Sequence, residues 1–484
     1  MDQSLPNIKD KTVKGLFWSF VDSFFGQGLQ FVFGIILARI LSPREFGLIG
    51  LLTFFLVIAQ TIVDSGFTSA LIRKTKCTQD DYSTVFYFNV LGSLFLYILL
   101  FFSSKSIASF YNEPQIEFLL KVMGLSIVIN AFSIVQRAIL TKNINFKLQT
   151  KISLLASIIS GSLAIWMAMK GYGVWSLVGL ALSRFFVTTV LLWVIMKWIP
   201  AFTFSKKSFN KLFSYGSKLL LSGLINTLFT NIYTLIIGKY FSVIHLGYYT
   251  RAKEFTVLPS VNLDSVIGRV TFPVLSTLQD DKIEFKKKFQ RIVKSSMFIS
   301  FTLMFGLAAV AEPLVITLIG EKWRPIIIYL QLLCFAGSLY PLHSLNLSIL
   351  KIFGRSDLFL RLEIIKIFLI IPFVYVGIKF GLTYLIIGQL ATSVIAYFFN
   401  SYWSKSIINY SSLEQLMNIL PSFILATIIG AIIFIIGNIL NTEPFLKLCI
   451  QLTVGVLLSL LVGEISKNSE YLFLKTTILQ YVKV

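Results

Sequence analysis

The sequence predicts an all-α membrane protein that crosses a bilayer about fourteen times. Three observations predict it. Hydrophobic residues make up 56% of the 484 positions and charged residues only 13%, against roughly a quarter charged in soluble domains. Apolar stretches, each long enough to cross a hydrocarbon core of about 30 Å as a helix, return at short intervals from Gly15 to Leu461. These stretches are apolar on every side, which disfavours the alternating pattern of a membrane β-barrel.

Taken in order, the first six expected spans are 15–38, 46–66, 84–106, 116–136, 150–169 and 173–196. The next six are 213–237, 247–274, 292–312, 326–350, 358–378 and 381–403, and the last two are 416–438 and 446–466. The first follows a basic head and is longer than a signal-peptide core, so it reads as a retained span. The eighth is the weakest, because it carries Arg251, Lys253, Glu254, Asp264 and Arg269. "SKKSFNKLF" and "DDKIEFKKKF" read either as topogenic charge or as amphipathic helices on the membrane surface.

The formal net charge is +21. In a soluble chain that balance suggests nucleic acid; here it reads as topology, with anionic lipid headgroups as the other attraction. Scored over alternate loops, 29 Lys and Arg lie on the side of the N-terminus and 12 on the other. The bias places both termini in the cytoplasm. Cys77, Cys334 and Cys449 form no metal or redox motif, and His245 and His343 are too few for a metal cluster. No loop is large enough for a catalytic domain, and no paired carboxylates mark an acid–base site, so the chain reads as no enzyme.

A repeat organises the chain. "IILARILSPREFGLIG" at 35–50 aligns without gaps on "LIIGKYFSVIHLGYYT" at 235–250. Arg39 meets Lys239, Ser42 meets Ser242, Gly47 meets Gly247, and further on Asp64 meets Asp264. In each copy the block closes one span and opens the next, with the serine placed to cap and the glycine to pack closely. A duplication of this kind predicts two six-helix lobes of parallel topology, 1–200 and 201–410, with 411–484 holding two extra spans and a short cytoplasmic tail. Two homologous bundles facing one another form a transporter architecture.

Several stretches resemble a known family. They are "LARILSPREFGLIG" (37–50), "DSGFTSALIRK" (64–74), "GYYTRAKEF" (247–255), "RVTFPVLSTLQDD" (269–281), "AEPLVITLIGEKWRP" (311–325) and "YPLHSLNLSILKIFGRSDLFLRLEIIK" (340–366). Together they resemble the Wzx-type polysaccharide exporters of the multidrug/oligosaccharidyl-lipid/polysaccharide (MOP) superfamily, within the lipopolysaccharide, colanic acid and teichuronic acid exporter group. The resemblance implies a MATE/MOP-like fold in the inner membrane. It implies a flippase that carries an undecaprenyl-pyrophosphate-linked oligosaccharide to the periplasmic leaflet by alternating access, for O-antigen, capsule or exopolysaccharide. It further implies no bound cofactor, coupling to a proton or sodium gradient, and a polysaccharide polymerase, a ligase or another export component acting next. The alternative within the same fold is an exporter of another lipid-linked glycan or of small molecules.

A pyrophosphate crossing a membrane needs cations to offset its desolvation, and arginine presents a fork suited to phosphate oxygens. Ionisable residues inside spans are costly and are usually functional or paired. The head-group candidates are therefore Arg184 in span 6, Arg269 and Arg251 in span 8, and Lys218 in span 7. Asp22, on one polar stripe with Lys14 and Trp18, is a coupling candidate. Asp64 and Asp264, equivalent by the repeat and near the cytoplasmic span ends, read either as caps or partners of cytoplasmic cations, or as coupling or gating candidates. Glu363 and Lys366 read as an intrahelical pair, and Trp323 as an interfacial anchor.

Overall fold

The computed structural model describes residues 5–64 and 66–465, with the side chains of some positions inside helices outside that set. Among the described residues the chain forms eighteen α-helices, one short 3-10 turn and no strand. In hydrocarbon every backbone N–H and C=O must find a partner within the protein, and a helix satisfies them locally.

The first half contains α1 (Leu5–Ile40), α2 (Pro43–Asp64), α3 (Phe67–Arg73), α4 (Gln79–Tyr111), α5 (Gln115–Lys142), α6 (Phe146–Met169), α7 (Val174–Met196) and α8 (Lys206–Tyr240). The second contains α9 (Val243–Ser276), α10 (Lys282–Ala309), α11 (Ala311–Ile319), α12 (Ile326–Ser338), α13 (Tyr340–Ile352), α14 (Ser356–Phe380), α15 (Leu382–Tyr402), α16 (Ser404–Ile408), α17 (Ser412–Ile439) and α18 (Pro444–Ile465). Every expected span overlaps one of these helices, the tenth being shared by α12 and α13. Eleven helical stretches among the described residues are long and apolar enough to cross a membrane. The charged α9 is not among them.

Helix starts are written locally. Thr78 accepts from Asp81 N while the Asp81 carboxylate accepts from Thr78 N, a reciprocal capping box at α4. Ser42 and Ser242 stand just before α2 and α9; Ser242 Oγ accepts from His245 N at 3.3 Å, while Ser42 Oγ donates to the Glu45 carboxylate. The residue three positions on, Glu45 or His245, bonds the serine hydroxyl at 2.9 and 2.7 Å respectively. At Gly66 the backbone turns left-handed (φ 69°) and α2 gives way to α3. Its repeat counterpart is Val266, and there α9 runs on unbroken to Ser276. A β-branched residue resists positive φ, so the two copies diverge.

The chain divides into two compact units, Met1–Gly247 and Tyr248–Val484. In the first, α4 packs on α5, α6 on α1 and α7, α5 on α7, and α2 on α8. In the second, α10 packs on α17 and α12, α14 on α15, and α17 on α18. Glycines let helices close up: a Cβ at Gly377 would lie 2.6 Å from Leu385 Cβ, and one at Gly388 2.6 Å from Phe373 Cβ. Polarity is inverted relative to a soluble protein. Phe95, Phe102, Val194 and Ile439 are exposed, while Asn89, Gln136, Asn346 and Gln415 are buried. Lipid is the medium that accepts such an exterior.

Two expectations are corrected. The basic runs before spans 7 and 9 are not separate surface helices. They are the first turns of α8 and α10, and Phe285 and Phe289 from the second run are fully buried. Trp323 is not an interfacial anchor. It is fully buried, edge-on to Tyr248 at 6.1 Å, because the turn from Gly320 (φ 95°) folds it inward.

Candidate functional site

In the first unit α5 and α7 pack together and each carries an arginine away from its ends. These helices are tied by Thr189 Oγ1 donating to Ile129 O at 3.1 Å and Trp193 Nε1 to Phe132 O at 2.9 Å. Arg184 of α7 is half-buried. Arg137 of α5, also half-buried, lies within reach of the Arg184 charge. Among the described residues Arg137 forms no ion pair. Two cations within electrostatic reach of one another in a poorly screened medium repel. An anion with two or more charged oxygens converts that repulsion into attraction. Gln136, next to Arg137, and Asn89 of α4 are fully buried, and no amide atom of either has a hydrogen-bond partner among the described residues. Each such group costs about 1–3 kcal/mol unless something polar reaches it.

Arg137 was missed by sequence reasoning for a definite reason. With span 4 closed at 136, its charge counts as topogenic. The structure continues α5 to Lys142, which places Arg137 more than a turn inside the helix end. Lys142 is the residue at the boundary, and its Nζ donates to Leu71 O at 3.2 Å, to Lys74 O and to Cys77 Sγ at 2.8 Å.

The other expected residues take varied places. Asp64 closes α2 and accepts from Thr68 Oγ1 of α3. Arg251 is buried and bonded to Glu254 at 2.5 Å. Asp264, inside α9, accepts from Ser344 of α13, with Lys351 and Tyr340 within electrostatic reach. The side chains of Asp22, Lys218 and Arg269, like that of Lys14, lie outside the described residues. Trp18 stacks under Lys147 at 5.7 Å.

A cleft of about 350 Å³ opens among Phe55, Ser106, Ile107, Phe110, Tyr111 and Leu235. Its walls are almost wholly apolar, so it suits no charged or sugar group. Among the described residues no group of acids, histidines or cysteines is arranged to hold a metal ion.

The family model described as polysaccharide biosynthesis protein matches residues 36–328. The chain belongs to this family. Among curated relatives, the teichuronic acid biosynthesis protein TuaB of Bacillus subtilis (strain 168) is 26% identical over 465 residues, covering 94% of this chain and 95% of that protein. The lipopolysaccharide biosynthesis protein WzxC of Escherichia coli (strain K12) is 27% identical over 410 residues, covering 81% of each. Among solved structures, the lipid II flippase MurJ in an inward closed conformation superposes with a TM-score of 0.73 at 17% identity, over 94% of this chain and 99% of that one. An inward-facing multidrug resistance MATE transporter of the MOP superfamily follows with 0.63 at 18% identity, over 79% and 94%. At those identities the likeness is one of fold. This member of the polysaccharide biosynthesis family is thus an all-α, multi-spanning membrane protein with the fold of MurJ and MATE transporters, as the resembling motifs imply. Arg137 and Arg184 both fall inside the matched region.

Proposed function

We propose that this protein is a flippase for an undecaprenyl-pyrophosphate-linked oligosaccharide. It moves the lipid-linked glycan from the cytoplasmic to the outer leaflet of the inner membrane, for O-antigen, capsule or exopolysaccharide synthesis, and a polymerase takes the product next. It is a transporter and makes or breaks no covalent bond of its cargo. Fourteen spans form two six-helix lobes, 1–200 and 201–410, with 411–484 as an appendage and both termini cytoplasmic. The lobes alternate access between the two sides, driven by an ion gradient.

The observation that carries this reading is the Arg137–Arg184 pair. A drug-sized cation would be repelled there, whereas a pyrophosphate gains two guanidinium partners in a medium that screens little. Lys218, Arg269 and Arg251 are the further head-group candidates, and Asp22, Asp64 and Asp264 the coupling or gating candidates. The names of TuaB and WzxC support a bacterial surface glycan as cargo.

The test is deletion in the native host followed by analysis of undecaprenyl-linked glycans on each leaflet. A complete oligosaccharide trapped on the cytoplasmic leaflet, and cleared when the wild-type gene returns, supports the proposal. Normal surface glycan with nothing trapped, in a strain without a second exporter, overturns it.

A further inference from the structure

The second unit holds a buried polar cluster that the head-group site does not use. His343 of α13 sits between two residues of α15. Its Nε2 lies 3.0 Å from Ser393 Oγ, and its Nδ1 lies 3.0 Å from Asn400 Nδ2. The Ser393 hydroxyl donates its own proton to Ala336 O at 3.4 Å. Its oxygen is therefore left to accept from Nε2–H, and Nδ1 is the bare nitrogen, accepting from the Asn400 amide. Asn400 is 1% exposed, and its Oδ1 has no partner among the described residues.

Beside the imidazole lies an ion pair. Lys366 and Glu363 of α14 are bonded at 2.7 Å, with side chains only 8% and 14% exposed. Lys366 is the charge that acts on His343. The other helices packed on α13 bring little charge near it. α12 and α15 contain no Asp, Glu, Lys or Arg, only Tyr and Cys as titratable groups. All charges of α10 fall between Lys282 and Lys294. Asp264 of α9 accepts from Ser344, the residue after His343, and Lys351 of α13 acts on that carboxylate electrostatically. The Lys366–Glu363 pair is neutral as a whole, with Lys366 the member that acts on His343, so one added proton makes the net charge of the cluster +1.

We propose that His343 is the proton-uptake site that couples transport to a proton gradient. The inference rests on the transporter reading above. The proton adds to the lone pair of Nδ1, while Nε2–H keeps its bond to Ser393. The Asn400 amide then turns over, so that Oδ1, unpartnered in the present state, accepts from Nδ1–H. A half-turn of one amide thus exchanges a socket for neutral imidazole for a socket for imidazolium. Repulsion between imidazolium and Lys366 favours a different arrangement of α13, α14 and α15, and this ties protonation to conformation.

The test uses full-length protein in the deletion host, at matched membrane amounts, following clearance of the trapped lipid-linked oligosaccharide. Nigericin collapses the pH gradient and valinomycin only the electrical one. In wild type, nigericin is expected to slow clearance at least about fivefold. His343→Gln keeps two polar contacts but takes no proton. It should be as slow as nigericin-treated wild type, with nigericin adding almost nothing. Asn400→Leu, which removes the acceptor for Nδ1–H, should behave alike, and the exposed His245→Gln like wild type. His343→Gln with wild-type rate and wild-type nigericin sensitivity overturns the proposal. If that variant does not accumulate, the same result for Asn400→Leu overturns it. Wild type that clears the intermediate regardless of nigericin also overturns it, and leaves the flippase reading standing. Wild type that fails to clear the intermediate removes both.

Discussion

Gly47 and Gly247 touch one another's helices reciprocally. A Cβ on Gly47 would fall inside the carbonyl of Val243, the first residue of α9, and a Cβ on Gly247 inside the carbonyl of Pro43, the first residue of α2. The two glycines and the two carbonyls are equivalent under the 200-residue repeat. The duplicated motif therefore packs against its own copy, at a distance only glycine permits. Close approach of this kind favours Cα–H···O contacts as well as dispersion.

Gly47→Ala and Gly247→Ala should each destabilise the protein, and by similar amounts, because the contacts are reciprocal. Overpacking against backbone has no flexible side chain to yield, so about 3 kcal/mol or more is expected for each. Gly306→Ala meets nothing within 4 Å and should be stable or slightly stabilised, since alanine is the better helix former. Thermal unfolding in lipid nanodiscs reads all three. Wild-type stability for Gly47→Ala would remove the close crossing.

Arg137→Ala and Arg184→Ala should each slow clearance of the trapped intermediate about 10- to 100-fold, the loss of one charge-assisted contact of about 1.5–3 kcal/mol. Lysine at either position should recover only part of the rate, since it lacks the planar fork. Because both guanidiniums are read as serving one anion, the double variant should fall short of the product of the single losses. Strictly multiplicative effects would indicate two independent roles.

Lys142→Met should loosen α3. The ammonium caps Leu71 O and Lys74 O and covers Cys77, which is half-buried and also donates to Leu71 O at 3.3 Å and Lys74 O at 3.7 Å. Maleimide labelling of Cys77 should accelerate several-fold in a variant lacking Cys449, the exposed thiol. An unchanged rate would mean that the cap contributes nothing to closing this corner.

Arg324 bonds Glu312 at 2.8 Å and also Glu321, all three largely exposed. The guanidinium holds the Glu321 carboxyl below its usual range. A lowered folded-state pKa contributes stability above the ordinary carboxylate value, and that contribution disappears as pH falls through the lowered one. Exposed pairs are screened, so the effect is small. Unfolding temperatures of wild type and Arg324→Ala should differ slightly at pH 7 and converge by about pH 3. A gap that widens on acidification would reverse the assignment.

Much was legible in the sequence. The helical stretches, the serines just before α2 and α9, the Glu363–Lys366 pair and the motifs of the polysaccharide biosynthesis family are all local properties. An apolar run of sufficient length must become a helix in lipid, and a serine before it caps the first turn wherever the helix goes. The sites were less legible. Arg137 was hidden by a boundary of a few residues, and His343 looked like a lone histidine until α15 supplied Ser393 and Asn400.

The physical reason lies in the solvent. In water, a helix shows which side faces the core by where its apolar stripe runs. In a bilayer the outside is as apolar as the inside, so that stripe is erased. The sequence alone therefore determined that this chain is a bundle of membrane helices in which one motif recurs 200 residues on. Only the tertiary structure decided which faces turn inward, that Gly47 and Gly247 meet across the repeat, that Arg137 lies within electrostatic reach of Arg184, and that His343 sits in a polar socket beside a buried ion pair.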